Sequence, residues 1–538
     1  MTIERLRGTS FTQKTYEAWK VEAEKALKGK PFETLVTETL EGIKLQPLYT
    51  KEMVENRDKI SAAVRKQKNT GSWTIAQDVF TDTAEQYLLS LKDSLSKGNE
   101  TIVYKSYGFE WSENQLHELA QLMTEYPIHF YIYDQHDPII QVFDMIGQKD
   151  SVKGFISDPK YLTAFTNLKL IVDTTEIHYM GANTVQELAV ALYMVTKSDK
   201  YLNRIAVRFQ VDTNFFMEMA KLRAFRVLWK ALIEAYDTES VPVGLIAETS
   251  LRSFSKLDPD VNLLRTGNMA FSAALGGAEL ITVHPHTILT GTTEKSVRLA
   301  RNVQLIIREE AHIGKVVDPA GGSYYIESLT AQLAELAWTQ FLNIQENGLD
   351  QLYAEVESVR KKKEDLLAVR KVSLIGTNKY ADPSNEVNTT IAIPVKRLAE
   401  TYEHLRADGQ PPKTALLLFG PLKDVKPRAD FVSGFLNVGG ISPVWSPSFN
   451  DPVESLKWLR DEKIEYAVVC AKDDECPNIV GSLLKLKPES IIDIAGRFDQ
   501  KVMDAWKKEG LNGCIYNGQH IVEKLASILS LRKEAENR

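Results

Sequence analysis

Few residues in this sequence are suited to chemistry by both type and spacing. Of the nine histidines, only His284 and His286 stand close together, in the segment ITVHPH. Along a strand they would share one face, so a pair of metal ligands is conceivable, but no third ligand is near them in the sequence. The better interpretation is that Pro285 ends a strand and that the two histidines are ordinary polar residues.

The three cysteines, Cys470, Cys476 and Cys514, form an odd and sparse set. Such a set lacks the spacing of a four-ligand zinc site and is typical of a reducing compartment. Cys470 ends the apolar run YAVVC. This position predicts a small buried hydrophobe rather than a reactive thiol.

Composition limits the classes of partner. The chain has 538 residues, 43% of them hydrophobic and 25% charged, as expected for a globular protein of two or three domains. It carries 65 basic and 72 acidic residues without a basic block interleaved with aromatics, so nucleic acid is not an expected partner. No apolar window of about 18 residues and no apolar leader stand out, so we expect no membrane partner and a cytoplasmic location.

Residues 415–431, ALLLFGPLKDVKPRADF, join an apolar run to a polar, proline-containing stretch that we interpret as a loop. At the carboxyl end of a strand in an open α/β sheet, such a loop is where a ligand binds. This one offers no glycine-rich cradle, no histidine and no nucleophile. The sequence therefore raises the question of what the loop holds.

The surrounding segment, residues 412–538, has the most regular alternation of apolar runs and helical patterns in the chain. The apolar runs LLLF, ISPVW, YAVVCA, SIIDIAG and GCIY recur about every 25 residues, with helical patterns between them. This spacing predicts a five-stranded, doubly wound parallel sheet. Residues 381–411 before it are polar, apart from one helical stretch, and are predicted to be a linker.

Residues 101–380 also alternate between strand and helix patterns. Seven strand candidates occur there: TIVYKS, IHFYIY, LKLIVD, RIAVRFQ, VGLIAE, ELITVH and GKVVDP. One helical pattern, residues 214–236, carries an apolar stripe formed by Leu222, Phe225, Trp229, Leu232, Ile233 and Tyr236. The pattern predicts a (β/α)8 barrel with one strand missed, and an open sheet is the alternative. Residues 1–100 are mostly helical or extended and predict an amino-terminal arm laid against another surface.

Five segments, in the same order, resemble the methylmalonyl-CoA mutases, which are adenosylcobalamin-dependent mutases of acyl-CoA carbon skeletons. They are EGIKLQPLYT (41–50), GANTVQELAVAL (181–192), NFFMEMAKLRAFRVLW (214–229), the long segment 300–338 containing VVDPAGGSYYIESLT, and IGTNKY (375–380). The resemblance implies a TIM barrel followed by a flavodoxin-like cobalamin domain. Within the long segment, Gly321 and Gly322 are predicted to form a structural turn that Asp318 could cap.

The residues that carry the family's chemistry differ in the second domain. In catalytic members a DxHxxG loop supplies the histidine that binds cobalt, and its aspartate orients that histidine. The six aligned positions here are Leu422, Lys423, Asp424, Val425, Lys426 and Pro427. Aspartate, histidine and glycine are thus replaced by leucine, aspartate and proline. Two later ligand-lining loops align with 470–473 (CAKD) and with Ala495-Gly496, where the second departure is small.

The barrel shows corresponding losses. The family's RQY segment aligns with Ala76, Gln77 and Asp78, and its HMQEAGA glutamine with His178. The histidine that hydrogen-bonds the thioester carbonyl aligns with Asp212, and a further family histidine with Thr282. A carboxylate would repel charge developing on that carbonyl oxygen, so we expect Asp212 to cap the helix that begins near Asn214 instead.

These departures predict the small, non-catalytic subunit of a heterodimeric methylmalonyl-CoA mutase. On this hypothesis the chain has no catalytic, cofactor-binding or metal-binding residues, and adenosylcobalamin is bound by a homologous large subunit. That partner would interconvert succinyl-CoA and (R)-methylmalonyl-CoA by radical rearrangement. Two alternatives remain: an independent barrel enzyme with an acid–base set of Asp78, His178 and Asp212, or a scaffold or regulatory protein for cobalamin enzymes.

Overall fold

The computed structural model of the protein describes residues 14–54, 57–68, 70–238, 241–387, 393–407 and 409–536. Its amino-terminal part contains helix α1 (Tyr16–Ala26), the antiparallel strands β1 (Thr37–Glu38) and β2 (Lys44–Leu45), helix α2 (Arg57–Lys66), and 3-10 turns at Phe32–Leu35 and Lys51–Met53. The predicted arm lies against the chain's own larger domain. Ile43 is buried in that domain's core, and the side-chain amide of Asn183 donates to the Leu40 carbonyl at 3.1 Å.

Eight parallel strands form the sheet of the larger domain. They are β3 (Thr74–Ala76), β4 (Ile102–Tyr104), β5 (Ile128–Phe130), β6 (Gly154–Ile156), β7 (Leu168–Asp173), β8 (Ile205–Val211), β9 (Gly244–Thr249) and β10 (Leu280–Thr282). Their order is β3-β10-β9-β8-β7-β6-β5-β4. The Glu100 amide donates to the Ile75 carbonyl at 2.9 Å, which brings the two ends of the sheet together. The predicted barrel is confirmed as a nearly closed one.

Two of the strand predictions need correction. GKVVDP is not a strand, because residues Ile313–Lys315 form a 3-10 turn and the following residues form bends. Two strands, β3 and β6, are missed by the pattern, since they are short and, unlike the equally short β4, β5 and β10, do not lie in a longer apolar run. The barrel sheet therefore begins at Thr74, inside the segment assigned to the arm.

Helices surround the barrel on its outer side. They are α3 (Ala84–Ser96), α4 (Glu113–Glu125), α5 (Thr175–Met180), α6 (Thr184–Thr196), α7 (Phe215–Ala235), α8 (Pro259–Leu275), α9 (Glu294–Leu305), α10 (Tyr324–Asn347) and α11 (Asp350–Ala368). Short 3-10 helices (Pro138–Asp144, Lys149–Ser151, Pro159–Thr163 and Asp199–Arg204) and a π-helical turn (Ile306–Glu310) complete the layer. The apolar stripe of α7 is buried as predicted, except that Tyr236 lies beyond the helix end and is partly exposed.

The turn in VVDPAGGSYY anchors α7 and α10 to each other. Asp318 and Glu327 both pair with the buried guanidinium of Arg223, the Glu327 contact being 2.8 Å. A Cβ at Gly321 would lie 2.4 Å from the Asp318 carboxylate, and Gly322 has φ +91°, so both positions require glycine. The motif is a packing device, as the sequence predicts, although Asp318 binds Arg223 instead of only capping the turn.

The smaller domain is a five-stranded parallel sheet of order β12-β11-β13-β14-β15. Its strands are β11 (Thr414–Phe419), β12 (Val444–Phe449), β13 (Tyr466–Cys470), β14 (Ile491–Ala495) and β15 (Gly513–Ile515). After the linker helix α12 (Glu400–Ala407) come α13 (Leu422–Val438), α14 (Pro452–Asp461), α15 (Cys476–Lys485), α16 (Gln500–Lys508) and α17 (Ile521–Glu536). The flavodoxin-like order confirms the predicted fold. Among the described residues, no helix is both long and apolar enough to span a bilayer.

The stretch after Gly420 is a helix and not the predicted loop. Helix α13 starts at Leu422 directly after Pro421 and carries Pro427 within it. Its polar and proline residues resemble a loop in the sequence, but Val425, Ala429 and Val432 recur at helical spacing and are buried. Tertiary burial of this face therefore outweighs the local signal of the proline.

Replacing Pro427 by alanine should stabilise the smaller domain by about 2 kcal/mol. Alanine restores the amide that donates to the carbonyl four residues earlier, at Lys423, and this gain exceeds the added freedom of the unfolded chain. Hydrogen–deuterium exchange of peptides covering α13 should slow accordingly. The matched control is Pro452→Ala at the first turn of α14, where the proline replaces no helical donor. Equal protection in the two variants would contradict this explanation.

Candidate functional site

Charged side chains gather where the barrel strands end. Lys105, directly after β4, places its ammonium 2.8 Å from Asp78 Oδ2 and 2.9 Å from Glu248 Oε1. The Nε2 of His284 lies 2.8 Å from the same Glu248 oxygen, and Arg208 Nε donates to the other oxygen at 2.8 Å. We call these five residues the Lys105 network. Four of the five residues lie at or just after the carboxyl ends of strands, where barrel enzymes place their sites, and Arg208 reaches them from the middle of β8.

The cation of the Lys105 network is an ammonium group. Asp78, Glu248 and His284 are buried, and their ligand atoms lie within 4.8 Å of one another, a spacing that suits a metal ion. Burial opposes charge on Lys105, but Asp78 and Glu248 outweigh it and raise the pKa of the amine. Lys105 therefore supplies the positive charge that a metal would bring. His286 is not part of this group, since its Nε2 faces Asp260 at 3.9 Å.

The barrel axis is filled by inward-facing side chains. Tyr131 from the end of β5 lies under the guanidinium of Arg208, with 4.3 Å between the guanidinium carbon and the ring centroid, and its hydroxyl contacts His129. Tyr131 belongs to a buried cluster along the axis. The other members are Ala76, Val103, Ile171, Ala206, Ile246 and Leu280, with Phe155 against them. Thr282 is buried on β10. Aromatic and charged groups thus occupy the axis at the end where the strands finish.

A second group, the His178 network, lies beside the first. His178 Nδ1 is 2.6 Å from Glu187 Oε1, and His178 Nε2 is 2.7 Å from Ser250 Oγ. Lys221 pairs with Glu187 at 2.9 Å. Serine, histidine and carboxylate in this order resemble a hydrolytic triad. Ser250 is nevertheless 0% exposed, and its Oγ accepts the Arg252 amide at 3.1 Å, so the hydroxyl is held as a structural acceptor.

Asp212 does not cap α7, and this prediction is wrong. Its Oδ2 accepts from Arg252 Nε at 2.8 Å, and Ser253 and the Thr213 amide bind its other oxygen. Despite burial, Arg252 and Lys363 hold the pKa of Asp212 well below its usual range. The capping residue Asn214 makes no side-chain cap. The sequence could not show that Arg252, from the loop after β9, meets Asp212.

The proposed acid–base set is only partly brought together. Arg252 links Asp212 to the carbonyl of His178, at 3.1 Å, so these two belong to one network. Asp78 belongs instead to the Lys105 network. The residues that sequence reasoning missed are Lys105, Arg208, Glu248 and Arg252. The available signal was a charged residue at the end of an apolar run, as at Lys105 after β4 and Glu248 near the end of β9.

In the smaller domain, side chains at the strand ends pair with one another. Asp424 on α13 lies 2.9 Å from Lys472, which follows β13. Arg428 lies 2.6 Å from Asp473 and also donates to the Ala471 carbonyl. Leu422 is half exposed. These contacts link the start of α13 to the loop after β13.

Burial favours the protonated form of two thiols in the smaller domain. Cys470 is fully buried, as predicted, and burial raises its pKa to about 12. Burial also raises the pKa of Cys476 to about 11.

Gly496 has φ +131°, and a Cβ there would lie 3.1 Å from the Phe498 ring, so this turn requires glycine.

Comparisons with known proteins show which family this chain is similar to. The family model described as methylmalonyl-CoA mutase matches residues 163–408, which hold most of both barrel networks. The small subunit of methylmalonyl-CoA mutase from Porphyromonas gingivalis is 27% identical over 87% of this chain and 89% of its own length. The chain is thus similar to methylmalonyl-CoA mutases, and in particular to proteins named as their small subunits.

Further methylmalonyl-CoA mutases match a shorter region. A probable methylmalonyl-CoA mutase small subunit from Mycobacterium tuberculosis is 33% identical over 58% of this chain and 57% of its own length. A methylmalonyl-CoA mutase from Cereibacter sphaeroides is 29% identical over 62% of this chain and 58% of its own length. The chain thus spans little more than half of these two relatives.

Acid should destabilise the folded chain through His178. Burial, with Arg252 beside it, lowers the pKa of His178 to about 4. An unfolded histidine titrates near about 6.5, so between about pH 6.5 and pH 4 only the unfolded chain takes up this proton. The resulting loss is about 3 kcal/mol. His178→Gln keeps both hydrogen bonds and should lack this part of the pH dependence. Urea unfolding across this pH range checks it, and parallel curves for the two proteins would contradict it.

Removing Lys105 should expose the metal-like geometry around it. Lys105→Ala leaves the buried Asp78 without its close cation and leaves Glu248 with Arg208 alone, at a cost of about 3–5 kcal/mol. Zinc ions should recover most of that loss in the variant and have no effect on the wild-type chain. Urea unfolding with and without zinc measures both effects. Lys230→Ala, which removes an exposed pair with Glu234, serves as the control and should change stability by less than about 1 kcal/mol. A variant that zinc does not stabilise would overturn this interpretation.

Proposed function

We propose that this chain is the small, non-catalytic subunit of an adenosylcobalamin-dependent methylmalonyl-CoA mutase, an isomerase. A larger homologous subunit, its partner in a heterodimer, binds the cofactor and the acyl-CoA and interconverts succinyl-CoA and (R)-methylmalonyl-CoA. The observation that carries the proposal is the ion pair between Asp424 and Lys472 at the position where catalytic members bind cobalt.

The residues of the smaller domain do not fit a corrin. Cobalt in catalytic members takes a nitrogen ligand from a flexible loop, whereas position 424 offers a carboxylate already bound to Lys472. The positions of that loop lie in the first turns of α13, with Pro427 within the helix. The chain therefore offers neither the ligand nor the loop, and we derive no cobalamin chemistry for it.

The barrel offers no partner for a thioester carbonyl at the aligned positions. Asp212 is an anion bound to Arg252, so it has no proton to donate to a developing oxyanion. Lys105, Arg208 and Glu248 compensate one another, and Tyr131 lies beside them on the axis. A barrel packed in this way supports a structural role for this chain in the complex.

The relatives and the thiols agree with this proposal. The Porphyromonas gingivalis protein, which aligns over 89% of its length, is named a small subunit. All three cysteines are free thiols, which is consistent with a cytoplasmic location for the complex.

An independent acid–base enzyme is the second candidate, and one observation favours it. Ser250, His178 and Glu187 are aligned at hydrogen-bonding distances in the order required for nucleophilic catalysis. Burial of Ser250 counts against it. If this candidate is correct, the purified chain alone hydrolyses p-nitrophenyl acyl esters and Ser250→Ala abolishes the activity. On the subunit proposal, neither protein shows hydrolysis above background.

Co-purification tests the subunit proposal. The chain is expressed alone and together with a larger homologue that has an intact DxHxxG motif, and each sample is incubated with adenosylcobalamin. We expect no corrin absorption from the chain alone, and one corrin per one-to-one complex with mutase activity. The control is Asp424→Ala combined with Lys472→Ala, which breaks the ion pair without supplying a nitrogen ligand and should also remain free of corrin. Corrin bound to the single chain, or failure to form a complex, would sink the proposal.

A further inference from the structure

A cavity of about 790 Å³ opens between α3 and α9, at the carboxyl end of β3. Residues 77–80 form its floor, α3 forms one wall with Leu89, Ser90 and Asp93, and α9 forms the other. The cavity lies on the flank of the barrel and not along its axis. Of the two charge networks, only Asp78 reaches it.

The wall formed by α9 carries three basic residues and one acidic residue, Glu294. Lys295, Arg298 and Arg301 follow one another at a spacing of three residues, so neighbouring members of the set lie side by side. Like charges at this spacing destabilise a helix unless an anion lies between them. Within the described ranges, neither Lys295 nor Arg298 forms an ion pair. Of the three acids that line the cavity, Asp93 pairs with Lys97 at 2.5 Å and Asp78 with Lys105 at 2.8 Å, and Glu294 is exposed at the start of α9.

Arg301 is the fixed point of this wall. Only 6% of the residue is exposed, and its Nη1 donates to Gln77 Oε1 at 2.8 Å, which joins the wall to the floor. Its Nε is buried and has no hydrogen-bond partner among the described residues, and the residue lines the cavity. A buried guanidinium donor without an acceptor is costly. A rotation of the side chain toward the cavity would bring this donor to an oxyanion bound there.

We propose that this cavity binds a phosphorylated small molecule, with its phosphate between Arg298 and Arg301 and its apolar part against Phe80 and Leu89. A phosphate matches two guanidinium groups because it accepts several charge-assisted hydrogen bonds at once. Phe80 is 40% exposed and Leu89 is 59% exposed, so the cavity also offers an apolar surface and an aromatic face to a planar group. The site is separate from the proposed subunit role and does not depend on it.

Isothermal titration calorimetry on the full-length chain tests the site with AMP, adenosine and inorganic phosphate. AMP should bind, and adenosine, which lacks the phosphate, should bind at least about tenfold more weakly. Inorganic phosphate should also bind more weakly than AMP, because it makes no contact with Phe80 or Leu89. Phosphate affinity equal to that of AMP would overturn the apolar half of the proposal.

Variants locate the site. Arg298→Gln removes an exposed charge without disturbing the core and should weaken AMP at least about tenfold. Ser90→Trp narrows the cavity from the opposite wall and should weaken AMP without altering any charge. Arg460→Gln, at an exposed arginine on α14 that faces Glu489 at 3.5 Å, is the matched control and should bind AMP as the wild type does. Thermal unfolding without ligand verifies that each variant is folded. No binding of AMP at about 1 mM, or equal affinity in Arg298→Gln and Arg460→Gln, overturns the proposal.

Discussion

The buried carboxylate of Glu248 holds the carboxyl end of the barrel together. It accepts from Lys105 at the end of β4, from His284 after β10 and from Arg208 on β8, while it stands on β9 itself. Strands that are distant in the sequence thus converge on one anion. In a low-dielectric interior each of these charges is tolerable only because the others are present, so the network acts as a unit.

Next to Glu248, packed side chains fill the axis of the barrel. Arg208 lies over Tyr131, and inward-facing apolar residues fill the remaining axis. The residues that identify the family, such as Asp318 and Glu327 with Arg223, lie on the outer helices and fix how those helices meet. The two sets are physically separate. The scaffold can therefore be maintained while the interior of the barrel takes on a different chemistry.

The architecture was largely readable from the sequence, because long apolar runs with regular helical stretches between them leave few alternatives. The five-stranded sheet and six of the barrel strands follow from that pattern. Strands β3 and β6 are short and lie outside any longer apolar run, and GKVVDP is apolar without pairing to any strand among the described residues. Pro427 made the sequence of α13 resemble a loop, although burial of one face of this segment stabilises a helix.

The candidate site was less predictable than the fold, for a different reason. Lys105 and Glu248 are 143 residues apart, and Asp212 and Arg252 are 40 apart, so each pair exists only once the barrel has formed. Sequence analysis located Asp78, His178 and Asp212 but not the residues that neutralise them. Charge compensation depends on three-dimensional neighbours, and single-chain patterns carry little information about it.

Mutual compensation in the Lys105 network also has an evolutionary consequence. A single substitution at Lys105, Arg208 or Glu248 strands an opposite charge in the interior, and only a matched second change removes that penalty. Paths through sequence space that alter this part of the barrel must therefore cross poorly folded intermediates or change two positions together. Once such a set of charges is assembled, single substitutions at its buried positions are strongly disfavoured, whereas exposed positions of the protein tolerate change. The interior of the barrel therefore resists a return to an open form.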